Sequence, residues 1–186
     1  MIMTRIPNEI EGRRVLIRKI RLTDANPILR LINDEKLVRW TIQIPHPYPE
    51  DGAVKFIRKC QRQWRMEEAF VFAETMRKTA EFIGVISLSN VTMRHGCAEL
   101  GFWSGRPYWG KGLTTEAVGL ALRFAFKELG LHRVYASTFE PNVGSRRVLE
   151  KNGFKLEGVM REAVVRYNQR HNFLNFGVLS REVSTK

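Results

Sequence analysis

Apolar and polar positions alternate with period two over residues 15–21, where Val15, Ile17 and Lys19 face away from Leu16, Arg18 and Ile20, and this predicts a first strand. Ile28, Leu29, Leu31 and Ile32 then recur at helical spacing behind Thr23 or Asp24, either of which can cap a helix start. Residues 38–51 break the pattern, since three prolines, Trp40, His46 and Tyr48 stand there without period. Glu50 and Asp51 suit the first turn of a second helix, where the dipole favours acids, and that helix runs to about Met66. Segments 69–76, 82–90 and 97–103, separated by short polar stretches, predict an antiparallel meander. A third helix over residues 114–129 is apolar on more than one side, so it lies against the sheet, and Gly130 fits a left-handed residue after its last turn. Residues 134–139 form the next strand. A helix separates it from 97–103, so the two are predicted as parallel neighbours, the one parallel pair of the sheet. Asn142 caps a short helix to Lys151, Gly153 ends it, and 154–165 pairs with 173–179 across a polar loop near Asn168. The pattern predicts an α/β chain: a mixed, mostly antiparallel sheet of six to seven strands with a central parallel pair, flanked by about four helices.

Length adds that 1–186 is a single domain, because a chain of 186 residues buries about 70% of its unfolded surface in one core. The charge matters more. Thirty-one basic against 19 acidic residues leave +12, which draws polyanions by long-range attraction. Lys55, Arg58, Lys59, Arg62 and Arg65 share one face of the second helix, opposite Val54, Ile57 and Trp64. No nucleic-acid-binding motif accompanies them, so a nucleic-acid contact and a solvated basic surface beside an anion site both stay open. Cys60 and Cys97 lie far apart, and four histidines are scattered, which argues against a metal. The longest apolar stretch is broken by Arg123, and residues 1–7 carry no leader pattern, so a cytoplasmic protein with no membrane association is expected.

The candidate chemistry gathers at residues 106–117, Arg-Pro-Tyr-Trp-Gly-Lys-Gly-Leu-Thr-Thr-Glu-Ala, which join a strand to a helix. Two glycines at a helix entrance let successive N–H groups converge on an anion that the dipole also favours. Gly105 to Lys111 satisfies seven positions of the nucleotide triphosphatase loop. The eighth is Gly112, which lacks the hydroxyl for Mg²⁺, and Pro107 removes an amide. The stretch instead resembles the pyrophosphate loop of the GNAT superfamily of acyl-CoA-dependent N-acyltransferases, Gln/Arg-x-x-Gly-x-Gly/Ala. Trp109 replaces Gln/Arg, Gly112 matches the glycine and Thr114 replaces Gly/Ala. With residues 141–154, 13–21 and 45–57, the wording is similar to the RimJ/RimL type, which acetylates protein N-termini.

That resemblance implies the GNAT fold, acetyl-CoA as cosubstrate and no metal. It places Trp109, Gly110, Lys111, Gly112, Leu113, Thr114 and Thr115 around the pyrophosphate. It also implies that strand 97–103 bulges and splays from the next, with the pantetheine arm in the gap. A backbone N–H near Phe102 or Trp103 then serves the oxyanion. Asn142 would bond the pantetheine. Leu149 stands where many members have a tyrosine acid, and Ser145 is the substitute; both Asn142 and Ser145 also read as plain helix caps. Glu99, on a strand face with Cys97, Gly101 and Trp103, is the candidate base, the alternative being an ion pair with a neighbouring arginine. An α-amine with a pKa of about 7.7–8.0 is roughly 10–15% neutral at pH 7, whereas a lysine is neutral in well under ~0.1% of molecules, so a weak base suffices only for the former. The loop 38–51 reads as an acceptor wall or as an anchor to the core. Asn172 and Phe176 replace the Asp and Tyr that the group often has near the last strand.

The expected acceptor is a protein or peptide N-terminus, with a ribosomal protein and an rRNA contact through the basic helix in view. The alternatives are a small amine such as a polyamine or aminoglycoside, and a CoA- or rRNA-binding module without turnover. The oligomeric state is left open.

Overall fold

The structure is a computed structural model and describes residues 6–183. The strands are β1 (Glu9–Glu11), β2 (Val15–Lys19), β3 (Phe70–Met76), β4 (Phe82–Thr92), β5 (Cys97–Ser104), β6 (Arg133–Phe139), β7 (Lys155–Arg166) and β8 (Gln169–Leu179). The helices are α1 (Ala25–Ile32), α2 (Glu35–Val38), α3 (Gly52–Arg65), α4 (Leu113–Arg123) and α5 (Val143–Lys151). One sheet runs in the order β1-β2-β3-β4-β5-β6-β8-β7. Every neighbouring pair is antiparallel except β5 and β6, as the intervening helix requires.

Eight strands and five helices exceed the expected six to seven and about four. The additions are β1, three residues with only Ile10 buried, and α2, a single turn opened by Asp34, whose side chain accepts from Lys36 N. Neither is long enough to show a period. Asp24 begins α1 but does not cap it; its carboxylate takes both Arg18 Nη groups, at 2.9 and 2.7 Å, and Arg21 N at 2.8 Å. Strand β8 starts at Gln169 rather than 173. Here β7 and β8 form an exposed arm whose polar residues carry no burial signal, turned by Tyr167 and Asn168, both left-handed.

Alternation along β3 divides the core into two layers. Phe70 and Phe72 face α4 and stack edge-on with Trp64 and Phe124, with centroids 5.1 to 5.2 Å apart. Val71 and Ala73 face α1 and α3, against Ile28, Leu31, Ile57 and Cys60. The period places Glu74, the next even position, on the α4 side and fully buried. All five basic residues of the α3 stripe are exposed, while Ala53, Ile57, Cys60 and Trp64 are buried.

Candidate active site

Strand β5 is paired to β4 without a break from Glu99 to Ser104. It is paired to β6 only at Cys97, Ala98 and Glu99. Beyond Glu99, β6 stays with β8 through Phe139, so the two central strands part. The gap opens without a bulge in β5 beyond Glu99; the irregularity of that strand pair lies in β4 between Ser89 and Thr92, opposite Cys97 to Glu99, at the level where the parting begins. Past the parting, one edge of β5 lacks ladder partners, which leaves backbone groups for a ligand to satisfy.

The opening is a cleft of about 540 Å³, walled by Phe102, Trp103 and Ser104 on one side and Asn142, Ser145, Arg147 and Lys151 on the other. The glycine loop closes one end: Trp109, Gly110, Gly112, Leu113, Thr114 and Thr115 all line it. Lys111 does not. Its ammonium lies 6.0 Å from the Tyr108 ring centre, and its carbonyl faces outward. Gly112 adopts φ +71 at the start of α4, a left-handed conformation that disfavours any side chain.

Arg14 holds this loop from behind. Its Nη1 donates to Lys111 O at 3.0 Å and its Nη2 to Gly112 O at 3.1 Å. Its Nε and backbone N donate to Glu116, at 3.1 and 2.7 Å, and Val15 N adds a third donor at 3.3 Å. Two loop carbonyls are thereby turned away from the cleft, while the first N–H groups of α4, which have no partners in the helix, stay available to an anion. Burial pushes the Glu116 carboxyl up, but the donors from Arg14 and Val15 outweigh it and hold it below the ordinary carboxylate range.

A second cavity of about 240 Å³ continues from the first, and the two share Trp40, Thr41, Phe102 and Ser145. Its wall is the loop from Trp40 to Ile44 with Ser137, Phe139 and Phe173. Arg166 of β7 fixes that loop by donating to Val38 O and Ile44 O, both at 3.1 Å. Tyr48 and Ile44 also pack on the α1–α3 core, so the aromatic loop is both wall and anchor. Glu99 lies in this cavity, not in the larger cleft, with Oε2 accepting from Asn90 Nδ2 at 2.7 Å and, among the described residues, no arginine against it. Asn142 and Ser145 bond each other: Ser145 N donates to Asn142 Oδ1 at 3.2 Å, and Asn142 Nδ2 donates to Ser145 Oγ at 2.9 Å. Capping geometry and cleft position therefore coincide. Leu149 is buried beneath, Phe176 belongs to the core, and Asn172 braces Glu140 and Glu162 N, so neither of the last two lines either of these two cavities.

Comparison with known proteins agrees with this geometry. The model of the acetyltransferase (GNAT) domain matches residues 14–155. The chain belongs to the GNAT acetyltransferase family. YjcK of Bacillus subtilis, which carries an N-acetyltransferase name, is 32% identical over 83% of this chain and 88% of its own. The Escherichia coli ribosomal protein uS5-alanine N-acetyltransferase is 29% identical over 81% of this chain and 86% of its own. In fold, the chain resembles Mycobacterium smegmatis RimJ in complex with CoA-disulfide, with TM-score 0.84, 22% identity, and 92% and 85% of the two chains covered.

As a GNAT acetyltransferase the protein uses acetyl-CoA, and its two departures from the loop pattern have partners. Trp109 Nε1 donates to Ser104 O at 2.7 Å, and Thr114 Oγ donates to Ser104 Oγ at 3.0 Å. Both tie the loop to the end of β5. The sequence reading missed Arg14, Glu116, Arg147 and Lys151; for the last pair, i and i+4 spacing on the exposed face of α5 was the signal. Arg14→Ala frees the Lys111 and Gly112 carbonyls, so acetyl-CoA should bind about tenfold more weakly by calorimetry, roughly 1.4 kcal/mol, and Arg14→Lys should recover only part of this.

Proposed function

We propose that this enzyme transfers the acetyl group of acetyl-CoA to the α-amine of a protein N-terminus, in the cytoplasm, as a single domain over 1–186. The observation that carries the reading is the second cavity. It opens beside the parted strands, and among its lining residues Glu99 is the one acid. A polyamine or aminoglycoside calls for several carboxylates, and this cavity offers one. The E. coli relative, named for the alanine of ribosomal protein uS5, supports a ribosomal acceptor with a small first residue.

In this reading pantetheine lies along β5 with the thioester near Phe102 and Trp103, at the junction of the two cavities. The neutral amine attacks the thioester carbon, and backbone N–H near Phe102 or Trp103 meets the oxyanion. The amine proton passes to Glu99 through water. The C–S bond breaks as the oxyanion collapses, and the departing CoA thiolate accepts a hydrogen bond from Ser145, whose Oγ already accepts from Asn142 and is left to donate, before taking its proton from solvent. Arg147 and Lys151 attract the phosphates. The exposed Lys55, Arg58, Lys59, Arg62 and Arg65 give α3 a face suited to rRNA phosphates.

Peptides with a free, small first residue should be acetylated at the α-amine, with internal lysines, spermidine and aminoglycosides much poorer, as mass spectrometry of the products will locate. Efficient acetylation of spermidine with the α-amine untouched would overturn the reading. Glu99→Gln should lower the rate most where the amine is protonated, and the defect should shrink as pH rises past the amine pKa of about 7.7–8.0. A pH–rate profile parallel to wild type would leave Glu99 as a structural group.

A further inference from the structure

Glu74 has no part in acetyl transfer as derived above, yet it lies directly behind the glycine loop. Its flanking strand partners are Ile17 of β2 and Gly84 of β4. Gly84 leaves the space it needs: a Cβ there would come 3.0 Å from Glu74 Oε2 and press on Trp103 O. Oε1 is buried with no hydrogen-bond partner among the described residues. Oε2 is 3.5 Å from Thr114 Oγ, which is 3.0 Å from Ser104 Oγ. Thr114 and Ser104 both line the cleft, so a chain of three oxygens runs from a sealed carboxyl to the cleft.

Among the described residues no cation compensates this carboxyl. The charged group that faces it is Glu116 of α4, a like charge whose own partner is Arg14; β2, β4 and β5 present Ile17, Gly84 and Ser104. Burial pushes Glu74 up to about 8, with Glu116 adding to the shift and the Thr114 bond opposing it. At neutral pH the group is mostly the uncharged acid.

We infer that Glu74 is a positioning residue whose single acid hydrogen orients a hydroxyl relay, Glu74 to Thr114 to Ser104, so that the relay ends in a donor facing an oxygen of the CoA moiety. The acid hydrogen belongs on Oε2, because Oε1 has no acceptor within reach among the described residues, and this sets the direction of the relay in each state. With the neutral acid, Glu74 donates to Thr114 Oγ, Thr114 to Ser104 Oγ, and Ser104 is left with its hydrogen for the ligand. With the carboxylate, Thr114 donates back to Glu74 and Ser104 back to Thr114, so the ligand meets lone pairs. A phosphate or amide oxygen is bound in the first state and repelled in the second. Thr114, which departs from the small residue of the family pattern, is the link that makes this direction switchable.

The test is calorimetry of acetyl-CoA binding from pH 7 to 9, a range in which the ligand's phosphates, with a second ionisation at about 6, are already ionised. Wild type should lose about tenfold in affinity across it, because ionisation of a group near pH 8 opposes binding. Glu74→Gln keeps a donor toward Thr114 and cannot ionise, so its affinity should stay level and exceed that of wild type at pH 9. Thr114→Val breaks the relay with Glu74 in place: it should bind more weakly than wild type at pH 7 and lose most of the pH dependence. A level wild-type profile overturns the inference, as does a fall that persists in Glu74→Gln. If Glu74→Gln shows no cooperative thermal melt, Thr114→Val decides: a fall as large as that of wild type overturns the relay. The measurement needs no acceptor, so its failure is distinct from failure of the N-terminal reading.

Discussion

The parting of β5 from β6 after Glu99 is the constraint on which the rest of the site depends. A central strand in a sheet normally has both edges paired, and leaving one bare in a buried place costs the desolvation of each unpaired group. Here β5 is held on its other edge by β4 as far as Ser104, and β6 is held by β8 through Phe139, so the gap is fixed from both sides. In the proposed reading, the amide groups of pantetheine restore what the strands leave open. Both cavities meet along this line, one reaching the glycine loop and the other reaching Glu99.

The glycine loop stands in a fixed relation to that gap because three independent contacts bind it to the sheet. Arg14 pulls two of its carbonyls outward from β2's side, while Trp109 and Thr114 hold it to Ser104 at the tip of β5. The same residues that depart from the family's loop pattern therefore join the glycine loop to the end of β5, the two places proposed above for the pyrophosphate and the thioester. Cations on α5 extend the field toward the opening, in keeping with a protein of net charge +12.

How much of this was legible in the sequence depended on whether the information was local. Alternation found β2 to β6, and the crossover logic found the parallel pair, because these strands pack against helices and carry the signal in their own residues. The exposed β7–β8 arm, the three-residue β1 and the single-turn α2 carry little or none. Gly110 and Gly112 were legible because left-handed turns at helix starts need glycine. Arg14 with Glu116 was not, since 102 residues separate them. Trp109 and Thr114 read as defects in a motif; their partners Ser104 and Glu74 come from other strands. Glu74 itself reads as an ordinary strand residue until the fold buries it behind α4.

The central claim, that acetyl-CoA completes the bare edge of β5, is tested most directly by hydrogen exchange with and without the cosubstrate. Bound acetyl-CoA should slow exchange in residues 100–104 and in the loop 110–115, and leave the arm at residues 160–172 as it was. Saturating acetyl-CoA with residues 100–104 unprotected, and the slowing confined to other parts of the sheet, would contradict the account.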